Sequence, residues 1–213
     1  MRSFYYLLCA SILLTISSCK KSAIAYDNGC ISQITRNYSV NASDSLAAVK
    51  LFQQNNLPAT GLTFYRVELN NVITNPKGTY IYQHIFALQH YNGLLAFNSY
   101  IGYHFTNGVF NYQDHPVYGS VNLNATPNLT LPQVRKLYLA AAKDASSIIS
   151  RDFKDSCLVA QFGYFDLNSG TGNTTPNIVK AWYITPQHVQ YPLAYIRDDN
   201  SALIYYFNGI ILN

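Results

Sequence analysis

The sequence predicts an α+β fold in which a helix followed by antiparallel strands occurs twice. Two segments, at about 44–56 and 130–149, carry apolar residues at spacings of three and four behind capping signals. Short runs rich in Tyr, Ile, Phe and Val follow each of them. Asn-Gly occurs at Asn92-Gly93 and again at Asn107-Gly108. That dipeptide is the strongest local hairpin signal, because a two-residue type I′ turn needs φ > 0 at both positions.

The chain opens MRSFYYLLCASILLTISSC: one early Arg2, an apolar run from Phe4 to Ile16, then small residues before Cys19. This is the layout of an export signal over residues 1–18. The run is shorter than the roughly 20 apolar residues a bilayer span requires, and Lys20 and Lys21 follow at once. Ile16, Ser17, Ser18 and Cys19 resemble the lipobox read by lipoprotein signal peptidase. The resemblance implies that Cys19 becomes the first mature residue and carries a diacylglyceryl thioether with palmitate-type chains. Its membrane partner would be reached through that lipid, since two or more chains give stable anchoring. No aspartate follows Cys19, which by the same resemblance implies the outer membrane of the cell envelope. Ordinary secretion with an incidental Cys19 is the plainer alternative.

Only 11% of the chain is charged and 15% is aromatic, with 19 Tyr, so solubility rests on neutral polar groups, as in β-rich envelope proteins. Lys and Arg are scattered singly, which excludes the basic stripe of a nucleic-acid binder. With Cys9 lost in the signal and Cys19 acylated, Cys30 and Cys157 remain. In an oxidising compartment they read as a disulfide, and two buried thiols are the equal alternative.

Residues 19–42 read as the acylated N-terminus and a tether that passes into an irregular first segment. In a first unit, 43–125, Ser43, Asp44 and Ser45 offer N-cap oxygens to a helix over 44–56 with Ala48, Val49 and Phe52 on one side. A strand follows at 62–69. The Asn92-Gly93 turn pairs Tyr91 with Leu94, and an unbroken ladder then sets Leu88 against Phe97, Phe86 against Ser99, His84 against Ile101 and Tyr82 against Tyr103. The second turn pairs Phe105 with Phe110 and Tyr103 with Tyr112. In this register Tyr80, Tyr82, Phe86, Phe97, Tyr103, Phe105 and Phe110 form the core beneath the helices, with exposed ligand-binding aromatics as the other reading. In a second unit, 126–213, Thr130 and Gln133 form a capping box, and Val134, Tyr138, Ala141, Ala145 and Ile148 line one side of a helix to about 149. Strands follow at 158–167, 178–185, 193–197 and 202–207.

The stretch GTYIYQHIFALQHYNGLLAFNSYIGYHFTNGVF, with Gln89, Tyr91 and Gly93 at one turn and Asn107 and Gly108 at the next, resembles the fungalysin/thermolysin propeptide (FTP) motif. The helix LTLPQVRKLYLAAA, the run Lys180-Ala181-Trp182-Tyr183-Ile184 and the hairpin AYIRDDNSALI resemble the propeptide-and-YpeB (PepSY) module. Together they cover most of Asp44 to Gly209, in the order found in prosegments of thermolysin-like metallopeptidases. The resemblance implies two cystatin-like units, each a helix packed on an antiparallel sheet, and a role in inhibiting or chaperoning a secreted peptidase. Asp198-Asp199-Asn200-Ser201 keeps the turn of the second module but departs from its usual residues.

A zinc peptidase needs His-Glu-x-x-His on a helix, and the one glutamate, Glu68, sits in a predicted strand with no neighbouring His. His84 and His90 share a strand face but lie about 20 Å apart at ~3.3 Å per residue. His104 falls near Ile81 and points away from His84, while His115 and His188 lie beside prolines or in loops. No metal or other cofactor site is read, therefore, and no catalytic residues. Cys157, preceded by Asp152, Lys154 and Asp155, lacks a nucleophile pattern. Gly170-Thr171-Gly172 reads as a flexible loop rather than a phosphate cradle, and Asp198 and Asp199 as a solvated turn. The expectation is a non-enzymatic, envelope-anchored binding lipoprotein that takes a secreted peptidase as its partner. The alternative is a surface module for glycan or polymer.

Overall fold

The computed structural model describes residues 29–115, 119, 121–144, 157–171, 173 and 175–209. The expected signal segment with Cys19, and Ala145 and Ile148 of the expected second helix, lie outside the described residues. The described chain runs β1 (Ile31–Gln33), α1 (Ala42–Gln54), β2 (Leu62–Asn75), β3 (Gly78–Tyr91), β4 (Leu94–Thr106), β5 (Val109–Gln113), α2 (Leu131–Asp144), β6 (Leu158–Asp166), β7 (Ile178–Pro186), β8 (Leu193–Arg197) and β9 (Leu203–Phe207). Among the described residues no helix is long and apolar enough to cross a membrane.

Local chemistry explains most elements. Asn41, one turn earlier than expected, caps α1 by accepting the Asp44 N–H at 2.9 Å. At α2 the Thr130 N–H donates to Gln133 Oε1 at 2.8 Å, the reciprocal half of a capping box. Both Asn-Gly turns take left-handed backbone at both residues (φ 49° and 77°, then 53° and 80°). The first fixes Tyr91 with Leu94, and the second fixes Thr106 with Val109 and, one step on, Phe105 with Phe110.

The strands join into one nine-stranded mixed sheet of order β2-β3-β4-β6-β7-β8-β9, with β5 on β4 and β1 on β6. This corrects the expected pair of cystatin-like units. The molecule is mostly one large sheet, with helices of 13 and 14 residues among the described residues. The halves merge where β4 meets β6 in parallel at Ala96 and Tyr164. Three residues make that junction. The Asn98 side chain substitutes for a strand peptide: its Nδ2 donates to the Asp166 carbonyl at 2.8 Å, and its Oδ1 accepts the Asp166 N–H at 2.9 Å. Gly163 admits the neighbouring chain, since a Cβ there would stand 2.4 Å from the Leu95 carbonyl oxygen. Tyr164 ties the β6 side of the junction to the connector before α2 by donating its hydroxyl to the Leu123 carbonyl at 3.0 Å.

The same junction overturns the expected β3–β4 register. Beyond the turn, residues 96–99 all lie opposite Gln89, so Leu88 pairs with Tyr100, Phe86 with Gly102 and His84 with His104. The bulge is held by Ser99, whose Oγ donates to the Ala96 carbonyl at 2.8 Å. The slip changes which β3 side chains face α1. Ile85 and Ala87 join Ile101, Tyr103, Phe105, Phe64 and the helix residues Ala48, Leu51 and Phe52 in the first core. Tyr82, His84, Phe86 and Leu88 point the other way. A further irregularity pairs Tyr103 with Gln113 and His104 with Tyr112.

Under α2 a second core gathers Val134, Tyr138, Leu158, Ala160, Phe162, Trp182, Ile184, Ala194 and Ile196. A third cluster, with Leu88, Leu95, Phe97, Ala181 and Tyr183 buried, draws residues from both halves. Leu88 follows Ala87 of the first core, and Tyr183 follows Trp182 of the second. Neighbouring residues of a strand face opposite sides, so the third cluster lies on the side away from both helices. Both helices therefore cover one face, and the other is left to the aromatics.

Asp198, expected in a solvated turn, is instead buried. It accepts the Trp182 Nε1–H at 3.0 Å and the N–H groups of Asn128 and Leu129, and lies 3.3 Å from Lys180 Nζ. It thereby ties the connector before α2 to β7. Asp199 remains at the surface with Arg197, whose guanidinium holds its carboxyl below the usual carboxylate range.

Candidate binding cleft

The face away from the helices is partly roofed by residues 34–40. This segment starts on β6, where the Ile34 N–H donates to the Ala160 carbonyl at 2.8 Å, and ends on β2, where the Val40 N–H donates to the Phe64 carbonyl at 2.9 Å. It carries Arg36 and Tyr38 across the sheet. Its origin is fixed by β1 on β6 and by a disulfide between Cys30 and Cys157, whose Cα atoms are 4.6 Å apart. Residues expected to form part of a tether thus contribute a strand and a strap.

Between strap and sheet lies a cavity of about 310 Å³, within the range of small-ligand sites. Leu88, Leu95 and Phe97 form its floor with Tyr183, all nearly inaccessible to solvent. Tyr195 and Leu193 form a half-buried wall, and Tyr100 stands at the rim with half its surface free. The rings of Phe97, Tyr183 and Tyr195 form a mutual triangle with centroids 5.1 to 6.0 Å apart, which fixes them as a rigid aromatic surface. Burial raises the hydroxyl pKa of Tyr183, Tyr195 and Tyr100 above the ordinary tyrosine value, so all three stay protonated donors near neutral pH.

Arg36 brings the one full positive charge. Its guanidinium lies 4.6 Å from the Tyr183 ring centre and donates to the Tyr183 hydroxyl at 3.2 Å and to Thr185 Oγ1 at 3.0 Å. These partners are neutral, and among the described residues no carboxylate forms an ion pair with it. Arg36 and Gln190 also line an adjoining open hollow of about 430 Å³, walled by Thr185, Gln187, His188 and Val189. The two depressions form a groove with the cation at its middle.

The remaining candidate residues separate. Tyr103, Phe105 and Phe110 belong with the core under α1, whereas Phe97 lines the cleft. Glu68 is bound by Arg66 on β2. His104 does not point away from His84: the three-residue slip brings their Nδ1 atoms to 2.7 Å. Sequence reasoning missed Arg36, Tyr38 and Gln190 altogether. They come from irregular segments with no periodic pattern, and only the fold sets them opposite Tyr183. Comparison with family models, curated proteins and solved structures finds no match to this chain.

Proposed function

We propose that this is a non-catalytic, lipid-anchored envelope protein that binds a glycan or glycan-like polymer in the aromatic groove. One observation carries the reading: a preformed tyrosine-walled cleft joined to an arginine whose partners among the described residues are neutral. Flat rings match the apolar faces of sugar rings, tyrosine hydroxyls and Gln190 match their hydroxyl groups, and rigid aromatics lose little conformational entropy on binding. The test is affinity electrophoresis and calorimetry with purified protein against a panel of soluble polysaccharides. Binding is expected, with Tyr100→Ala weakening it by about 3- to 10-fold through loss of one stacking surface. A panel without binders, or a binder indifferent to Tyr100→Ala and Arg36→Gln, would overturn the proposal.

A second reading is a secreted peptidase held in trans. It is favoured by β2, a 14-residue edge strand whose Val72 and Ile73 are exposed. Such an edge can accept an added strand. Recovery of a peptidase inhibited by this protein from its native envelope would favour it over the glycan.

A further inference from the structure

Arg36 and Gln190 line both depressions of the groove, and Arg36 is set there as a charge without a counter-ion. Tyr183 and Thr185 stand two residues apart on β7, so both present their side chains to the strap. Arg36 Nη1 donates to the Tyr183 hydroxyl at 3.2 Å and Nη2 to Thr185 Oγ1 at 3.0 Å, and the guanidinium carbon lies over the Tyr183 ring at 4.6 Å. A guanidinium has five N–H donors. Among the described residues two of them have acceptors, both neutral oxygens, which leaves three for a ligand. Arginine keeps its charge throughout the pH range in which proteins fold, and this one is partly buried. Partial removal from water without a counter-ion leaves the charge poorly compensated, so an anion placed there gains more than it would beside an exposed arginine. The rest of the lining limits how much negative charge fits. Neither depression is lined by Asp, Glu or Lys. No carboxylate of the lining repels an anion at Arg36, and no lysine or second arginine receives a further one.

We propose that the groove selects an acidic glycan with isolated carboxylates: a uronic-acid sugar held at Arg36, flanked by neutral sugars in the cleft and in the hollow. This rests on the glycan reading of the groove and names the ligand's charge. A uronate carboxylate brings one negative charge and two acceptor oxygens side by side, the pattern that a forked guanidinium matches. On the cleft side a neutral sugar lays its apolar face on the rings of Tyr195 and Phe97 and reaches Tyr100 at the rim. On the hollow side Gln187 and Gln190 offer neutral donors and acceptors to sugar hydroxyls. A densely sulfated or phosphorylated chain fits poorly, because its further charges would face the floor of Leu88, Leu95 and Phe97, where nothing repays their lost hydration. An entirely neutral chain leaves the Arg36 charge uncompensated. The aromatic rings therefore supply contact area, and Arg36 supplies the choice between acidic and neutral chains.

The test is calorimetric titration of the purified protein with matched pairs of oligosaccharides cut from uronate-containing polysaccharides, beside a set of neutral glycans. In each pair one member keeps its carboxylates and the other has them reduced to primary alcohols, so the backbone is shared and the charge differs. The tightest binder is expected to be a uronate chain, with its reduced partner about 10- to 100-fold weaker, the range for a hydrogen bond to a charged group. That preference should narrow as salt is raised. Arg36→Gln should bring the two members of the pair to within about 2-fold of each other, and Arg36→Lys, which keeps the charge without the fork, should retain part of the preference. Tyr100→Ala should weaken both members by the same factor, because it removes contact area and no charge. Circular dichroism establishes that each variant is folded. Equal binding of a uronate chain and its reduced partner, a neutral glycan as the tightest binder, or an undiminished preference in folded Arg36→Gln would overturn the proposal. The glycan reading survives those results wherever Tyr100→Ala still weakens binding. Failure of every chain to bind, charged or neutral, overturns both.

Discussion

The Tyr103 hydroxyl is buried under α1 and, among the described residues, has no hydrogen-bond partner, although the ring packs 4.6 Å from Phe52. Leaving a buried hydroxyl unsatisfied costs about 1–3 kcal/mol. Tyr103→Phe is accordingly expected to raise stability by roughly 1 kcal/mol in urea denaturation at pH 7. Burial also pushes this hydroxyl up to about 12, from 10.0 in an exposed tyrosine. Above pH 10 the unfolded chain releases the proton while the folded chain retains it, so stability is complete below pH 10 and falls as pH rises toward 12. Tyr103→Phe should flatten that part of the profile, read as the urea midpoint from pH 8 to 11.5. The oxygen was visible in the sequence, and its isolation was not: the FTNGVF hairpin places Tyr103 on the α1 face, but only the packed core shows that no polar group of the described residues reaches its tip.

At the scale of elements, short-range signals carried far. Both helices, both Asn-Gly turns and the strands from β6 to β9 follow from capping residues, periodicity and turn chemistry, because those signals act within a few residues of their cause. What the sequence hid was the bulge at 96–99 and the seam beside it. Asn98 acts as a counterfeit peptide to a strand 68 positions away, and Gly163 answers a carbonyl of β4; neither residue has a periodic pattern to mark it. A ladder continued without that bulge put His84 opposite Ile101 and left no reason to connect His84 with His104. The seam itself is testable. Gly163→Ala is expected to destabilise by about 1–3 kcal/mol, since the new methyl meets backbone and the Phe97 ring rather than a movable side-chain end. The decrease should appear as a lower thermal midpoint, and an unchanged midpoint would mean that β4 and β6 can part without loss.

For the whole molecule, one sheet with both helices on one side leaves a broad aromatic face, and the strap from β1 to β2 turns part of it into a cleft. The expected two-unit division missed this, because a cavity assembled from residues 36, 97, 100, 183 and 195 belongs to neither half. Cys30 and Cys157, 127 residues apart, secure the strap's origin. In the loop-entropy account such a closure stabilises by about 4–5 kcal/mol. Cys30→Ser with Cys157→Ser is expected to lower stability by up to that amount and to weaken ligand binding more than Gly163→Ala does, because the strap bearing Arg36 loses its fixed end. Calorimetric titration of the folded double variant with the bound polysaccharide checks the second part.

The same bond determines how the protein carries mechanical load. Tension applied to the chain before Cys30 and after Cys157 passes through the sulfurs instead of along the polypeptide between them. The α1 half, β3, β4 and most of the groove's floor would then stay slack while β6 to β9 bore the force. Under extension the molecule should lengthen only by its C-terminal strands, and after reduction by nearly the whole described chain.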